Sequence, residues 1–182
     1  MNLRHNFYVQ PMEKVYMETI AIYATWTFLM LLLRGKARRI AGVIGAFAAV
    51  ALILLFTLWG RSAKSSETVC LIPFASFSRA KAQPELLRTM YMNVLLFMPF
   101  GLSLPFALSG RIKHNILTTV LCGAAISACV EALQFLLRIG KCEIDDVLMN
   151  TLGVLIGVTS CLLAAGFTRL IKLMSEHFDM WE

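Results

Sequence analysis

Several apolar runs, each long enough to cross a membrane, constrain this chain more than any other feature. They cover about residues 15–33, 40–59, 89–108, 115–137 and 147–170. A helix needs roughly 20 apolar residues to span the hydrocarbon layer. Only 15% of the residues are charged, against about 25% in soluble domains. The sequence therefore predicts an all-α, polytopic membrane bundle of about five transmembrane helices, with residues 1–182 forming one domain.

Basic residues in the short loops predict how the bundle is oriented. The tight loop 34–39 holds four Lys or Arg, and the loop 109–114 holds two more. Because short cytoplasmic loops carry the excess of Lys and Arg, both loops are predicted to be cytoplasmic. The N-terminus and the long connection 60–88 then lie outside the cell membrane, and the C-terminus lies in the cytoplasm. The apolar stretch 69–74 is expected at the outer interface or against protein, since it is too short to span.

Polar residues gather at the predicted outer ends of the later spans. Glu131, Gln134 and Arg138 are spaced i, i+3, i+7, which predicts one stripe along the fourth helix. Asn93 opens the third span. We expect Pro99 and the pair Leu104–Pro105 to interrupt that span. Helices that alternate in direction bring these polar ends to the same membrane face.

A second stripe runs along the fifth helix, with Asp146 and Asn150 at its polar end and Gly153 and Gly157 deeper in the span. Glycines four residues apart allow another helix to approach closely, so we expect helix packing there. The two stripes and the third span together predict one polar pocket, formed by Asn93, Glu131, Gln134, Asp145, Asp146 and Asn150.

Ionisable groups at this depth favour a functional site, because their burial in hydrocarbon is costly. Arg88 and Arg138 are candidate phosphate contacts, while the amides and carboxylates suit sugar or peptide groups. Structural alternatives stay open. Glu131 and Arg138 can be an ion pair, and Asp145 and Asp146 can simply complement a helix dipole.

Other kinds of site find little support in the sequence. The five cysteines show no CxxC spacing, so neither a metal site nor a cofactor is expected. Cys70 and Cys142 would both lie outside, which leaves a disulfide open without favouring it. No basic surface interleaved with aromatic residues suggests nucleic-acid binding. The expected partners are therefore membrane lipids and molecules of the cell envelope.

Four sequence blocks carry a family resemblance. They are Leu-Ile-Pro-Phe at 71–74, Asn-Val-Leu-Leu-Phe-Met-Pro-Phe-Gly at 93–101, Glu-Ala-Leu-Gln at 131–134, and Glu-Ile-Asp-Asp-Val-Leu-Met-Asn-Thr-Leu-Gly at 143–153. In this order, over about residues 68–160, the chain resembles the VanZ-like membrane proteins, a family associated with low-level teicoplanin resistance. Cys70 departs from that pattern, in which a polar residue, often Asn, precedes the first block.

The resemblance implies a cell-envelope membrane protein linked to glycopeptide tolerance, and it hands over no catalytic residues. Two functions remain open. The favoured one is binding, without catalysis, of a lipid-linked cell-wall intermediate or a lipoglycopeptide at the outer pocket. The alternative is a membrane enzyme acting on a lipid-linked substrate, in which Glu131 and Asp146 form an acid/base pair or hold a divalent cation.

Overall fold

The computed structural model describes residues 12–59, 69–80, 83–108 and 112–178, and it shows a helical bundle with one short ribbon of strands. In chain order the elements are α1 (Met12–Leu32), α2 (Gly35–Leu58), β1 (Val69–Cys70), α3 (Ala75–Ala80), α4 (Pro84–Leu108), α5 (Ile112–Leu136), β2 (Cys142–Glu143) and α6 (Ile144–Phe178). The predicted N-terminal tail, residues 60–68 of the long connection, and the end of the C-terminal tail lie outside the described residues.

The predicted all-helical membrane bundle is confirmed. Among the described residues, α2, α4, α5 and α6 each contain a stretch long and apolar enough to cross a membrane. The first predicted span corresponds to a shorter apolar helix within α1, Tyr16–Leu32. The chain is therefore a multi-pass membrane protein, with four long candidate spans and one shorter apolar helix.

Three helices differ from the apolar runs that predicted them. α2 begins at Gly35, before its predicted span, and α6 continues to Phe178, beyond its predicted span. Polar residues limit the part of a helix that can lie in hydrocarbon, but they do not break its backbone hydrogen bonds, so the helix continues. The expected interruption of the third span is wrong. α4 is continuous through Pro99 and Pro105, as happens in membrane helices when neighbouring groups satisfy the backbone atoms that proline releases.

Basic residues in the first turns of α2 cap the ends of two other helices. The Arg38 guanidinium donates to the carbonyls of Leu31 and Leu33 at the end of α1, over 3.1 and 2.6 Å. Arg39 donates to the carbonyl of Ala107 near the end of α4 over 3.2 Å. Cations stabilise helix C-termini, where carbonyls lack helical partners. These contacts place the ends of α1 and α4 and the start of α2 at one end of the bundle.

The tightest crossing in the bundle joins α4 to α6 and is lined by glycines. A Cβ added at Gly153 would collide with the backbone carbonyl of Val94, and one added at Gly157 would lie 3.0 Å from the Cα of Gly101. The two backbones therefore approach more closely than any larger residue permits. The glycines expected to pack lie at this crossing, and they fix the separation of the two helices that carry Asn93 and Asp146.

Candidate functional site

A polar cavity of about 200 Å³ lies at the opposite end of the bundle from Arg38 and Arg39. It is partly open and is walled by the ends of α2 and α5, the first turns of α4 and α6, and the chain around β1 and β2. Five of the six residues expected to share a pocket line it, namely Asn93, Glu131, Gln134, Asp146 and Asn150. The alternating direction of the helices is what brings them together.

Asn93 and Asp146 join α4 to α6 across the cavity. The Nδ2 group of Asn93 donates to Oδ1 of Asp146 over 2.8 Å. On the α5 side, Glu131 is only 4% exposed, and its carboxylate accepts the backbone N–H of Glu143 at 3.4 Å, a long and therefore weak hydrogen bond. Both carboxylates face the same small volume.

The amide side chains of Gln134 and Asn150 direct their nitrogen atoms into the protein. Gln134 Nε2 donates to the carbonyl of Thr57 near the end of α2 over 3.2 Å. Asn150 Nδ2 donates to Oγ of Ser127 on α5 over 2.8 Å. Asn150 is 2% exposed, and its Oδ1 atom has no hydrogen-bond partner among the residues that the structure describes. The nitrogens therefore bind helices together, while this oxygen lies buried in the cavity wall.

Asp145, the sixth expected pocket residue, does not line the cavity. It is 2% exposed, and its two carboxylate oxygens accept the backbone N–H groups of Phe74 and Ser76 over 2.6 and 2.7 Å. Hydrogen bonds to an ionised carboxylate are about twice as strong as neutral ones. Asp145 thus anchors residues 69–80, which we call the rim segment, against the start of α6.

The rim segment lies along the polar end of the bundle with its apolar side chains turned outward. β1 pairs in parallel with β2, placing Val69 opposite Cys142. Leu71, Ile72 and Phe74 are between 62% and 71% exposed, whereas Ser76 is buried and belongs to the cavity wall. The stretch expected at the interface or against protein therefore has its backbone against protein.

Part of the cavity wall was not predicted from the sequence. Ser76 Oγ donates to Oε2 of Glu143 over 3.0 Å, and Arg79 pairs with the same oxygen at 3.1 Å. These contacts join two loops far apart in sequence, so no helical periodicity reveals them. The acidic run 143–146 was the available signal for Glu143, and Thr89, one helical turn before Asn93, is a further lining residue that spacing could have found.

Arg138 does not continue the stripe of Glu131 and Gln134, so that prediction is wrong. α5 ends at Leu136, and Arg138 has a left-handed backbone with φ of 55°. The N–H of Arg138 bonds to Phe135 and that of the following residue bonds to Gln134, each over 3.0 Å. These two hydrogen bonds form the turn that commonly closes a helix C-terminus. Arg138 therefore lies beyond the end of α5, where helical spacing no longer applies.

Only one cationic side chain lines the cavity within the described residues, and that residue is Lys141. Arg138 is exposed, and Arg88 is half-buried on α4. Neither of the two arginines borders the cavity, so their expected role as phosphate contacts remains a prediction about the surrounding surface.

An apolar layer closes the inner end of the cavity. One helical turn deeper than Thr57, Asn93, Gln134 and Asn150, the corresponding side chains are at most 2% exposed and pack as one cluster, namely Ile53, Phe97, Val130 and Val154. The polar volume is therefore a pocket with one open end. Its shape suits a group that enters and leaves from the same membrane face.

Two loop thiols, those of Cys70 and Cys142, belong to the strands beside the cavity. Cys70 and Cys142 are free, and their register places Cys70 opposite Glu143, so the two side chains leave opposite faces of the ribbon. Burial raises the pKa of the Cys142 thiol, and the carboxylates of Glu131 and Asp146 raise it further. Within the described residues, no three His, Cys, Asp or Glu side chains are grouped closely enough to hold a metal ion.

Comparison with known proteins gives one match. Residues 41–165 match the sequence model of the family described as VanZ/LLP1. The match covers more than half of the chain and includes the rim segment, all of α4 and α5, and most of α2 and α6. No curated protein and no solved structure matches the chain.

Proposed function

The chain belongs to the VanZ/LLP1 family, and from this premise we propose that it is an envelope protein that binds a lipid-linked cell-wall component or a lipoglycopeptide without transforming it. The observation that carries the proposal is the polar cavity with one open end. It brings five polar residues from three helices together at the edge of the hydrocarbon. Burying these groups apart in lipid would cost several kcal/mol each. Their collection in one wall with an unpartnered amide oxygen supports a binding role.

The size of the cavity restricts what it can receive. Sites for drug-sized ligands occupy roughly 300–1,000 Å³, and this cavity has about 200 Å³. It can hold a sugar-sized group or the end of a peptide, but not a whole glycopeptide. A lipid-linked ligand fits this limit, because its polar end enters the cavity while its acyl or polyprenyl chain stays among the exposed apolar side chains outside. Leu71 and Ile72 of the rim segment supply such a surface.

We propose the orientation that the short-loop charges predict, with the cavity at the outer face. Its test uses variants in which Cys142 is the sole cysteine. An impermeant maleimide should label Cys142 in intact cells. A cysteine introduced as Lys36→Cys, at the opposite end of the bundle, should be labelled only after permeabilisation. The reverse pattern would place the cavity in the cytoplasm.

Antibiotic susceptibility tests the binding function. We expect expression of the chain to raise tolerance to teicoplanin, which carries an acyl chain, more than tolerance to vancomycin, which carries none. Glu131→Gln should reduce that difference at equal expression level. Glu18→Gln is a matched control, because Glu18 is exposed on α1 and pairs with Lys14 within its own helix. An unchanged difference in Glu131→Gln, or an equal loss in Glu18→Gln, would contradict a role for the cavity.

A membrane enzyme is the second candidate, because Glu131 and Asp146 share the cavity as two carboxylates. General acid/base catalysis requires a side chain that gives up and takes back a proton, which a glutamine at position 131 cannot do. Ligand binding can partly survive the same substitution, because the amide still forms hydrogen bonds. Turnover of a lipid-linked envelope substrate by purified protein, abolished by Glu131→Gln while the substrate is still bound, would favour the enzyme. Binding without turnover favours our proposal.

A further inference from the structure

The rim segment carries an apolar patch that the rest of the described chain leaves largely exposed. Leu71, Ile72 and Phe74 are between 62% and 71% exposed, and Phe77 is 40% exposed. The ring centroids of Phe74 and Phe77 lie 6.0 Å apart. We call these four side chains the rim patch. Contiguous exposed apolar surface of this kind marks contact with a membrane or with another protein.

The rim patch lies at the depth where the spans end. Ser76, within the same segment, lines the cavity together with Thr57 near the end of α2 and Asn93 in α4. Trp59, two residues after Thr57, is 75% exposed, and Tyr91, two residues before Asn93, is 56% exposed. Trp and Tyr are enriched where hydrocarbon meets the lipid headgroups. The patch is therefore level with the edge of the bilayer.

The surroundings of the patch favour lipid over a soluble protein partner. The short helix α3 packs against α4, and on α4 the side chains of Leu87 and Tyr91 are 37% and 56% exposed. In a multi-pass membrane protein, exposed apolar and aromatic side chains at this depth face lipid. The rim patch shares that end of the bundle, so it continues the surface that the spans turn toward lipid.

The backbone beneath the patch is suited to surroundings with little water. Asp145 accepts the N–H groups of Phe74 and Ser76 over 2.6 and 2.7 Å, and the N–H of Ala75 bonds to the carbonyl of Ile72 at 3.4 Å. The strand β1 pairs with β2 just before them. Irregular backbone is tolerated at membrane depth only where protein satisfies its polar groups. These bonds therefore allow the side chains of the patch to enter lipid.

Cationic side chains flank the patch on the polar side of the segment. Arg79 follows Phe77 by two positions, about 200° around the helix, so the two side chains leave α3 on opposite sides. Arg79 keeps 42% of its side chain exposed while it pairs with Glu143 at 3.1 Å, and Lys141 is exposed. Basic side chains beside an apolar surface suit the edge of a bilayer, where anionic headgroups lie above the acyl chains.

We propose that the rim patch inserts into the edge of the bilayer, with Arg79 at the level of the headgroups. Ser76 of the same segment belongs to the cavity wall, so contact with lipid holds one wall of the cavity in place. The lipid surface is thus a partner of the site. This inference depends neither on the ligand of the cavity nor on which way the bundle is inserted, so it stands or falls separately from the proposed function.

Spin labelling of the full-length protein in nanodiscs of phosphatidylcholine and phosphatidylglycerol tests the insertion. With the five native cysteines replaced, a nitroxide is attached to Ile72→Cys, to Lys141→Cys, or to Phe47→Cys, since Phe47 is 73% exposed within the span of α2. Oxygen concentrates in hydrocarbon, whereas a nickel chelate stays in water. We expect oxygen to reach the Ile72 label more readily than the chelate does, as at Phe47, and the reverse at Lys141.

Each other accessibility pattern would overturn the insertion. Chelate access at Ile72 equal to that at Lys141 would place the patch in water. Low access of both reagents at Ile72 would mean that protein, either a second copy or a different partner, covers it. Leu71→Cys provides a second label position in the same patch, because Leu71 is 65% exposed, and it keeps the test usable if Ile72→Cys folds poorly.

Hydrogen exchange in the same nanodiscs tests whether lipid contact holds the cavity wall. Ile72 is 71% exposed, so Ile72→Ser removes contact with lipid more than contact with protein. It should accelerate exchange of the Phe74 and Ser76 amides roughly tenfold. Leu121→Ser is the matched control, because Leu121 is 59% exposed on α5, and it should leave those amides unchanged. Unchanged exchange in Ile72→Ser, or equal acceleration in Leu121→Ser, would overturn this role of the lipid.

Discussion

The hydroxyl of Tyr23 on α1 donates a 2.6 Å hydrogen bond to the backbone carbonyl of Leu95 on α4. Leu95 lies four residues before Pro99, so its carbonyl is the one whose helical N–H partner the proline removes. One side chain from a neighbouring helix therefore replaces the missing backbone donor. This contact helps to explain why α4 remains a helix through Pro99, and it joins the short apolar helix to the bundle.

Replacing Tyr23 with Phe should therefore destabilise the protein. A buried carbonyl left without a donor costs roughly 1–3 kcal/mol, and we expect a decrease of that size in the free energy of unfolding, measured in detergent micelles. Pro99→Ala restores the N–H that Leu95 lacks, so Tyr23→Phe should cost less in the Pro99→Ala background.

The control for this cycle is Tyr91→Phe, because Tyr91 on α4 also joins that helix to α1, through its ring contact with Tyr16, but is 56% exposed. Its replacement should change the free energy of unfolding by less than half as much. An equal cost of Tyr23→Phe with and without Pro99 would show that the hydroxyl does not serve the carbonyl released by the proline.

The glycine crossing predicts opposite results for two identical substitutions in α6. Gly153→Ala would press a Cβ into the backbone carbonyl of Val94 and should cost roughly 1–3 kcal/mol, as overpacking does. At Gly166 nothing lies within 4 Å of an added Cβ, so Gly166→Ala should be neutral or stabilise the helix by up to about 1 kcal/mol. Thermal unfolding of both variants measures the difference. Equal melting temperatures would mean that α4 and α6 do not meet as described.

The anchor formed by Asp145 should control how often the rim segment opens. Asp145→Asn keeps the shape but can offer only one acceptor oxygen to the amides of Phe74 and Ser76. A hydrogen bond to a charged group contributes roughly 1.5–3 kcal/mol, so amide hydrogen exchange in residues 72–78 should accelerate roughly 10- to 100-fold. Asp146→Asn is the neighbouring control and should leave that exchange unchanged. Equal acceleration in both variants would argue against a specific anchor.

The thiol of Cys142 should report the charge of the cavity wall through its pH dependence. Burial and the carboxylates of Glu131 and Asp146 raise its pKa. Because only the thiolate reacts, alkylation near pH 7.5 should be slower than for an unperturbed thiol and should keep rising above the ordinary pKa. Asp146→Asn removes one negative charge, lowers the pKa, and should speed alkylation at pH 7.5. A rate unaffected by Asp146→Asn would mean that this carboxylate does not act on the thiol.

The sequence predicted the helical part of the site better than the rest. Asn93, Glu131, Asp146 and Asn150 share the cavity because helical spacing and alternating direction together determine depth and face, and both can be read from apolar runs. Arg138 was misplaced because the same spacing was extended past the end of α5. The left-handed residue that ends α5 is not glycine, so the usual local signal for a helix end was absent.

Contacts made by the loops could not be predicted in the same way. Asp145 was expected in the pocket, yet it binds the amides of Phe74 and Ser76, about 70 positions earlier in the chain. Glu143 similarly meets Arg79 through a ribbon of only two residues per strand. Such pairings depend on the positions that two loops take once the spans have packed. Neither composition nor periodicity predicts those positions.

The ribbon between Val69–Cys70 and Cys142–Glu143 also restricts every topology that can be drawn for this chain. Strands separated by hydrocarbon cannot pair, so both loops lie on one side of the bilayer whichever way the protein is inserted. The chain therefore crosses the membrane an even number of times between residues 70 and 142. The two helices α4 and α5 are these crossings. The short helix α3 cannot be an additional crossing, and the orientation of this pair can be reversed only as a unit.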